Sequence, residues 1–166
     1  MVEMIAFRLC ASNLLLAAGI ALLMLPSLAP AQQSNLYVFG AAGGAPDNEG
    51  STLHIGGGGE FVAARLIGVG GELGALTRTG SFRDTLGVLS INGYGHIPLK
   101  GRLDPYVTGG YSMFFRSGTA SGGNFGVGAN LPLLAKLGLK FEFRDHVISS
   151  GGRKNHWWEG RVGVTF

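Results

Sequence analysis

The chain has 166 residues, of which 46% are hydrophobic, 14% are charged and 30 are glycine, with a formal net charge of +3. Glycine without a Gly-x-y period excludes collagen, and the hydrophobic fraction excludes a disordered chain. The single cysteine, Cys10, excludes a disulfide scaffold or a CxxC site, and the scattered basic residues leave no nucleic-acid footprint.

Residues 1–31 read as a signal peptide. Arg8 precedes an uncharged run from Leu9 to Leu25 that includes Leu14, Leu15, Leu16, Leu22 and Leu23. Pro26 and Pro30 break any helix, and Ala29-Pro30-Ala31 is a small-x-small pattern that predicts cleavage before Gln32. Cys10 does not fit a lipidation site, because charged Arg8 stands two residues before it. The remainder of the chain is free of cysteine, which suits an oxidising compartment.

After residue 31 no stretch of 18 consecutive apolar residues occurs, so no spanning helix is expected. What recurs instead is alternation with period 2, broken by turn-rich clusters. It predicts strands at 34–42, 52–61, 66–76, 86–97, 104–115, 121–131, 137–147 and 156–166. Polar connections at 43–51, 77–85, 116–120 and 148–155 alternate with compact ones at 62–65, 98–103 and 132–136. That is an up-and-down meander with two unlike ends. Strands of about nine to twelve residues match a tilted membrane crossing. The expected fold is all-β: an eight-stranded antiparallel up-and-down transmembrane β-barrel over 32–166, preceded by a cleaved signal peptide.

The closing strands show the two faces most clearly. Leu137, Leu139, Phe141 and Phe143 share one face, and Lys140, Glu142 and Arg144 the other. Trp158, Val162, Val164 and Phe166 alternate with Glu159, Arg161 and Thr165. Ser90, Asn92, His96, Asn124, Asn130 and Glu72 alternate with apolar neighbours in the same way. Strand 34–42 is apolar on both faces, so Leu36/Val38 and Tyr37/Phe39 remain equal candidates for the outside. A soluble half-buried sheet would alternate too. The secretory signal, the terminal Phe166, and Trp158, Tyr106 and Phe115 near strand ends favour a lipid-facing exterior with an aromatic girdle.

Inward glycines, among them Gly56, Gly58, Gly70, Gly74, Gly110, Gly126, Gly128 and Gly163, leave room for long side chains in a narrow lumen. The inward charges are then Glu60, Glu72, Glu142 and Glu159 against Lys140, Arg144 and Arg161. A nearly neutral set is what burial requires, because an unpaired charge is costly to desolvate. Folding the last hairpin about Gly151 and Gly152 places Arg144 opposite Glu159 and Glu142 opposite Arg161, which predicts two ion pairs.

The closing strand HWWEGRVGVTF, the preceding LGLKFEFRDHV and the hairpin GGGGEFVAARLIGVGGELGAL resemble the eight-stranded outer-membrane β-barrel family. That group includes outer membrane protein A-type and opacity-like barrels. The resemblance covers 32–166. It implies residence in the outer membrane of a double-membraned bacterium as a monomer, among outer-membrane lipids and lipopolysaccharide. It also implies that Trp158, Val162, Val164 and Phe166 act as a C-terminal signal for the barrel assembly machinery. No cofactor and no nucleic-acid partner are implied.

The function expected is non-enzymatic, with a structural or surface-interaction role. Two alternatives stand beside it. Some eight-stranded barrels are lipid A deacylases with His, Ser and Glu near the C-terminus, and His146, Ser149 or Ser150, and Glu159 fall in a loosely similar order. Here, however, His-x-Ser is replaced by His146-Val147-Ile148-Ser149, and the alternation points His146 and Glu159 into the lumen. The other alternative is a small porin-like pore, which facing charges would plug. Asp145, His146 and His156 read as solvated rim residues rather than a metal site. GGGGE at 56–60 lacks the lysine and hydroxyl residue of a phosphate loop.

Overall fold

The architecture was taken from a computed structural model that describes residues 33–45, 50–150 and 153–166. The expected signal peptide with its cleavage site, and Gly151 and Gly152, lie outside the described residues. The described chain forms eight strands: β1 (Gln33–Gly44), β2 (Ser51–Ala63), β3 (Ile67–Arg78), β4 (Ser81–His96), β5 (Asp104–Phe115), β6 (Thr119–Leu134), β7 (Leu137–Ser150) and β8 (Arg153–Thr165). Each pairs antiparallel with the next, and β1 pairs with β8 to close the barrel. No described strand edge is left open, which is the condition for β-structure in hydrocarbon.

The strands run further than the polar connections suggested. Expected loop 77–85 is almost entirely strand: β3 reaches Arg78 and β4 begins at Ser81, leaving Thr79 and Gly80 as the turn. Gly80 takes a φ of 90°, a left-handed conformation that glycine adopts at little cost. An antiparallel ladder pairs backbone groups whatever the side chains are, so polar residues beyond the bilayer extend strands as readily as they form loops. β4 and β6 each reach 16 residues, more than the roughly 9–11 that a crossing needs. Pro132 is accommodated in β6 because the register with β7 shifts between Pro132 and Leu134.

The alternation survives closure. Phe141, Phe143, Val127 and Val162 face outward, while Lys140, Glu142, Arg144 and Arg161 are buried. In β1, Leu36 and Val38 are 65% and 52% exposed, whereas Tyr37 and Phe39 are 3% and 7%. The open choice is decided by the tyrosine hydroxyl, which donates to Glu72 Oε1 at 2.6 Å inside the barrel and would find no partner in lipid. The same logic corrects Tyr106. It is not a girdle residue; it is 1% exposed, with its hydroxyl donating to Glu142 Oε2 at 2.8 Å. Trp158 and Phe115 do face outward, and Trp158 stacks on Phe143 at 6.4 Å between centroids.

The result is an apolar exterior around a charged interior, the inverse of a water-soluble barrel. Ile55, Val69, Ile91, Val107 and Phe125 all lie on the exposed face. A contiguous apolar belt of this kind needs lipid around it.

Candidate functional site

The charged side chains stack along the barrel axis. At the end that carries Gln33 and Phe166, His96 links Asp104 and Glu60, with Nδ1 2.9 Å from Asp104 and Nε2 2.7 Å from Glu60. Lys140 Nζ lies 3.4 Å from Glu60 and sits over three tyrosine rings, Tyr37, Tyr94 and Tyr106, at 4.7, 4.9 and 4.2 Å. An ammonium held this way exchanges water for ring quadrupoles and one carboxylate. Gly128 and Gly58 make this possible, because a Cβ at either would fall within 3 Å of the Tyr106 or Tyr37 hydroxyl.

The middle layer centres on Glu72. It accepts from Tyr37, from Arg144 Nη1 at 2.5 Å and from Arg161 Nη1 at 2.9 Å. Arg144 Nε also stands 2.5 Å from Glu142 Oε1. Glu159 is held by Arg161, by His54 Nδ1 at 2.9 Å and by His146 Nε2 at 3.3 Å. His146 Nδ1 continues to Ser112 Oγ at 2.9 Å, and Asn124 Nδ2 and Ser90 Oγ each stand 2.8 Å from the same hydroxyl. Above this layer the apolar side chains of Leu76, Val88, Phe114 and Ile148, with Trp157 packed on them, close the other end. The void beside Tyr37, Glu72 and Arg161 measures about 10 Å³, the space of roughly one water.

The structure brings Glu60, Glu72, Lys140, Glu142, Arg144, Glu159 and Arg161 together as one buried set. The register of the last hairpin is the expected one: Arg144 faces Glu159 and Glu142 faces Arg161. The side-chain pairing differs for Arg144 and Glu159. Arg144 takes Glu72 and Glu142 as its carboxylates, and Glu159 takes Arg161 from its own strand. The other expected pair does form, with Arg161 Nη1 3.5 Å from Glu142 Oε1. In a barrel this narrow a guanidinium reaches the opposite wall, so β3, far from β7 in the ladder, supplies one of its two carboxylates. Trp158, Val162, Val164 and Phe166 lie apart from the set along the outward side of β8, with Phe166 N donating to Leu36 O at 2.8 Å.

Sequence reasoning missed the tyrosines and Ser112 as members, whereas His54 and His96 read as polar lumen positions and are buried there. For the missed residues, inward parity beside Asn92, His96 and Thr108 was the available signal. The serine that meets His146 is Ser112 of β5, not Ser149, which is exposed at the rim. Ser112, His146 and Glu159 thus stand in the order hydroxyl, imidazole, carboxylate. Ser112 is nevertheless fully buried, its hydroxyl is already engaged, and no described cavity beside it could hold a carbonyl substrate. His146 points inward while Asp145 and His156 pair at 2.7 Å on the outer side, so the three do not converge on a metal.

A family model described as the outer membrane protein beta-barrel domain matches residues 15–166. Among solved structures, the N-terminal β-barrel domain of Pseudomonas aeruginosa OprF is 15% identical with a TM-score of 0.60, covering 80% of this chain and 96% of that one. Neisserial surface protein A is 10% identical with a TM-score of 0.63, covering 80% and 94%. A de novo designed transmembrane β-barrel is 19% identical with a TM-score of 0.54, covering 82% and 98%. At these identities the likeness is one of fold. No curated protein matches the sequence.

Proposed function

The chain belongs to the outer membrane protein beta-barrel domain family, and from that membership we propose that it is a non-enzymatic outer-membrane barrel with a structural or surface-interaction role, sealed by its own charge network. The observation that carries this is the filled lumen. The centre holds a void of about 10 Å³, and an apolar cluster around Phe114 stands across one end. A chain of water wide enough for ions has no room there. Planar-bilayer recording of the purified protein should give a current indistinguishable from lipid alone; steady channel steps would overturn the sealed reading. Incubation with lipopolysaccharide should release no fatty acid, and release would overturn the non-enzymatic one.

The surroundings proposed for such a barrel are outer-membrane lipid and lipopolysaccharide. Gln33 and Phe166 lie at the same end as the turns at 64–66, 97–103 and 135–136, and the proposed orientation sets that end, with its compact turns, in the periplasm. The outward row Trp158, Val162, Val164 and Phe166 is the segment offered to the assembly machinery. Deleting Phe166 should lower the folded, heat-modifiable fraction in outer membranes severalfold while total synthesis is unchanged. An undiminished folded fraction would remove that role.

A further inference from the structure

At the terminal end the lumen widens into an open vestibule of about 590 Å³, within the range of ligand-binding clefts. His96 stands at its floor, and its walls come from the turns at 64–66, 97–103 and 135–136 together with Ser34, Asn35, Thr165 and Phe166. Three cations line it: Arg65, Arg102 and Lys136. Among the described residues none of them has a carboxylate partner, and Arg102 reaches only the Leu133 carbonyl at 3.4 Å. The one acidic side chain in the wall, Asp104, is already met by His96 at 2.9 Å and by Asn130 Nδ2 at 3.1 Å. The net charge presented to the cavity is therefore positive.

Two further observations refine the ligand. Leu103, Leu134 and Phe166 contribute exposed apolar surface to the same cavity. The turn that holds Arg65 is also costly. Ala64 and Arg65 have φ of 51° and 59°, where asparagine and glycine are the easy residues. An arginine is thus carried at the rim by a backbone that does not favour it.

We propose that this vestibule binds a short acidic peptide. Carboxylates meet Arg65, Arg102 and Lys136, and small apolar side chains cover Leu103 and Leu134. The inference is independent of the sealed-barrel reading, since the vestibule lies outside the filled part of the lumen.

The test is a titration of the full barrel in phosphatidylcholine discs with acetylated Leu-Glu-Ala-Glu, read by calorimetry. Saturable binding is expected. Arg65→Gln/Lys136→Gln should weaken it about tenfold or more, as loss of charge-assisted contacts does. Both substitutions fall in exposed turns, and the heat-dependent gel shift checks that the variant is folded. Replacing both peptide glutamates by glutamine should weaken binding to the unaltered barrel equally, a comparison that needs no variant. No saturable binding, or equal binding of the acidic and the glutamine peptide, would overturn the proposal. So would complete displacement of the peptide when phosphatidylglycerol replaces part of the disc lipid, which would assign the vestibule to lipid headgroups.

Discussion

Glu72→Ala should destabilise the barrel by about 3–5 kcal/mol, the cost of leaving a buried charge without its partner. Glu72 accepts from Tyr37, Arg144 and Arg161 at 2.6, 2.5 and 2.9 Å. Without it, two guanidiniums converge on an empty site. Arg144 is fully buried, so it has no water to turn to. Glu142 still holds Arg144, and Glu159 still holds Arg161, which keeps the cost below that of two orphaned ions. Adding Arg144→Met to Glu72→Ala removes the unpaired charge and should recover at least half of the loss. Urea unfolding of the barrel in lipid vesicles, followed by the gel shift, measures both. Additive losses in the double variant would show that Glu72 and Arg144 are not coupled.

Gly128→Val should cost about 3–5 kcal/mol by a different route, overpacking together with a lost hydrogen bond to a charged acceptor. A Cβ at Gly128 would stand 2.5 Å from the Phe141 carbonyl and 2.5 Å from Tyr106 Cζ and Oη. Tyr106 cannot simply swing aside, because its hydroxyl is bound to Glu142 and its ring lies against Lys140. Gly109→Val is the control. Gly109 faces lipid and its nearest neighbour would be the Asn124 carbonyl at 3.8 Å, so the change should be nearly neutral. If the inward and outward substitutions cost the same, packing of the lumen is not what these glycines serve.

The sequence made the ladder legible and the lumen only partly so. Period-2 alternation with clear charge placement, as in Lys140, Glu142 and Arg144, assigns faces because a one-residue slip would put charges in lipid. The register of β7 on β8 follows from the loop centre and from charge signs. Pairing across the lumen does not, because no local pattern says which wall closure will set opposite Arg144. That is why Glu72 of β3 displaces Glu159 as its partner. β1 was ambiguous because both its faces are apolar by composition, and only the need of the Tyr37 hydroxyl for Glu72 separates them. Tyr106 was misread because an aromatic near a strand end fits a girdle or a lumen equally well; its parity with Thr108 and Gly110 was the better guide. Segment 77–85 looked like a loop because polar residues outside the bilayer carry no signal that distinguishes strand from turn.

The central claim is a lipid-facing exterior around a lumen closed to water. Single cysteines at Val127, Phe143 and Val162, and at Ser90, Ser112 and Asn124, test both halves in native outer membranes. The first three should react with a bilayer-confined maleimide and not with a charged water-soluble one. The second three should react with neither until the barrel is unfolded. Reaction of the second set with the water-soluble reagent in folded barrels, or equal labelling of both sets from the lipid, would contradict the account.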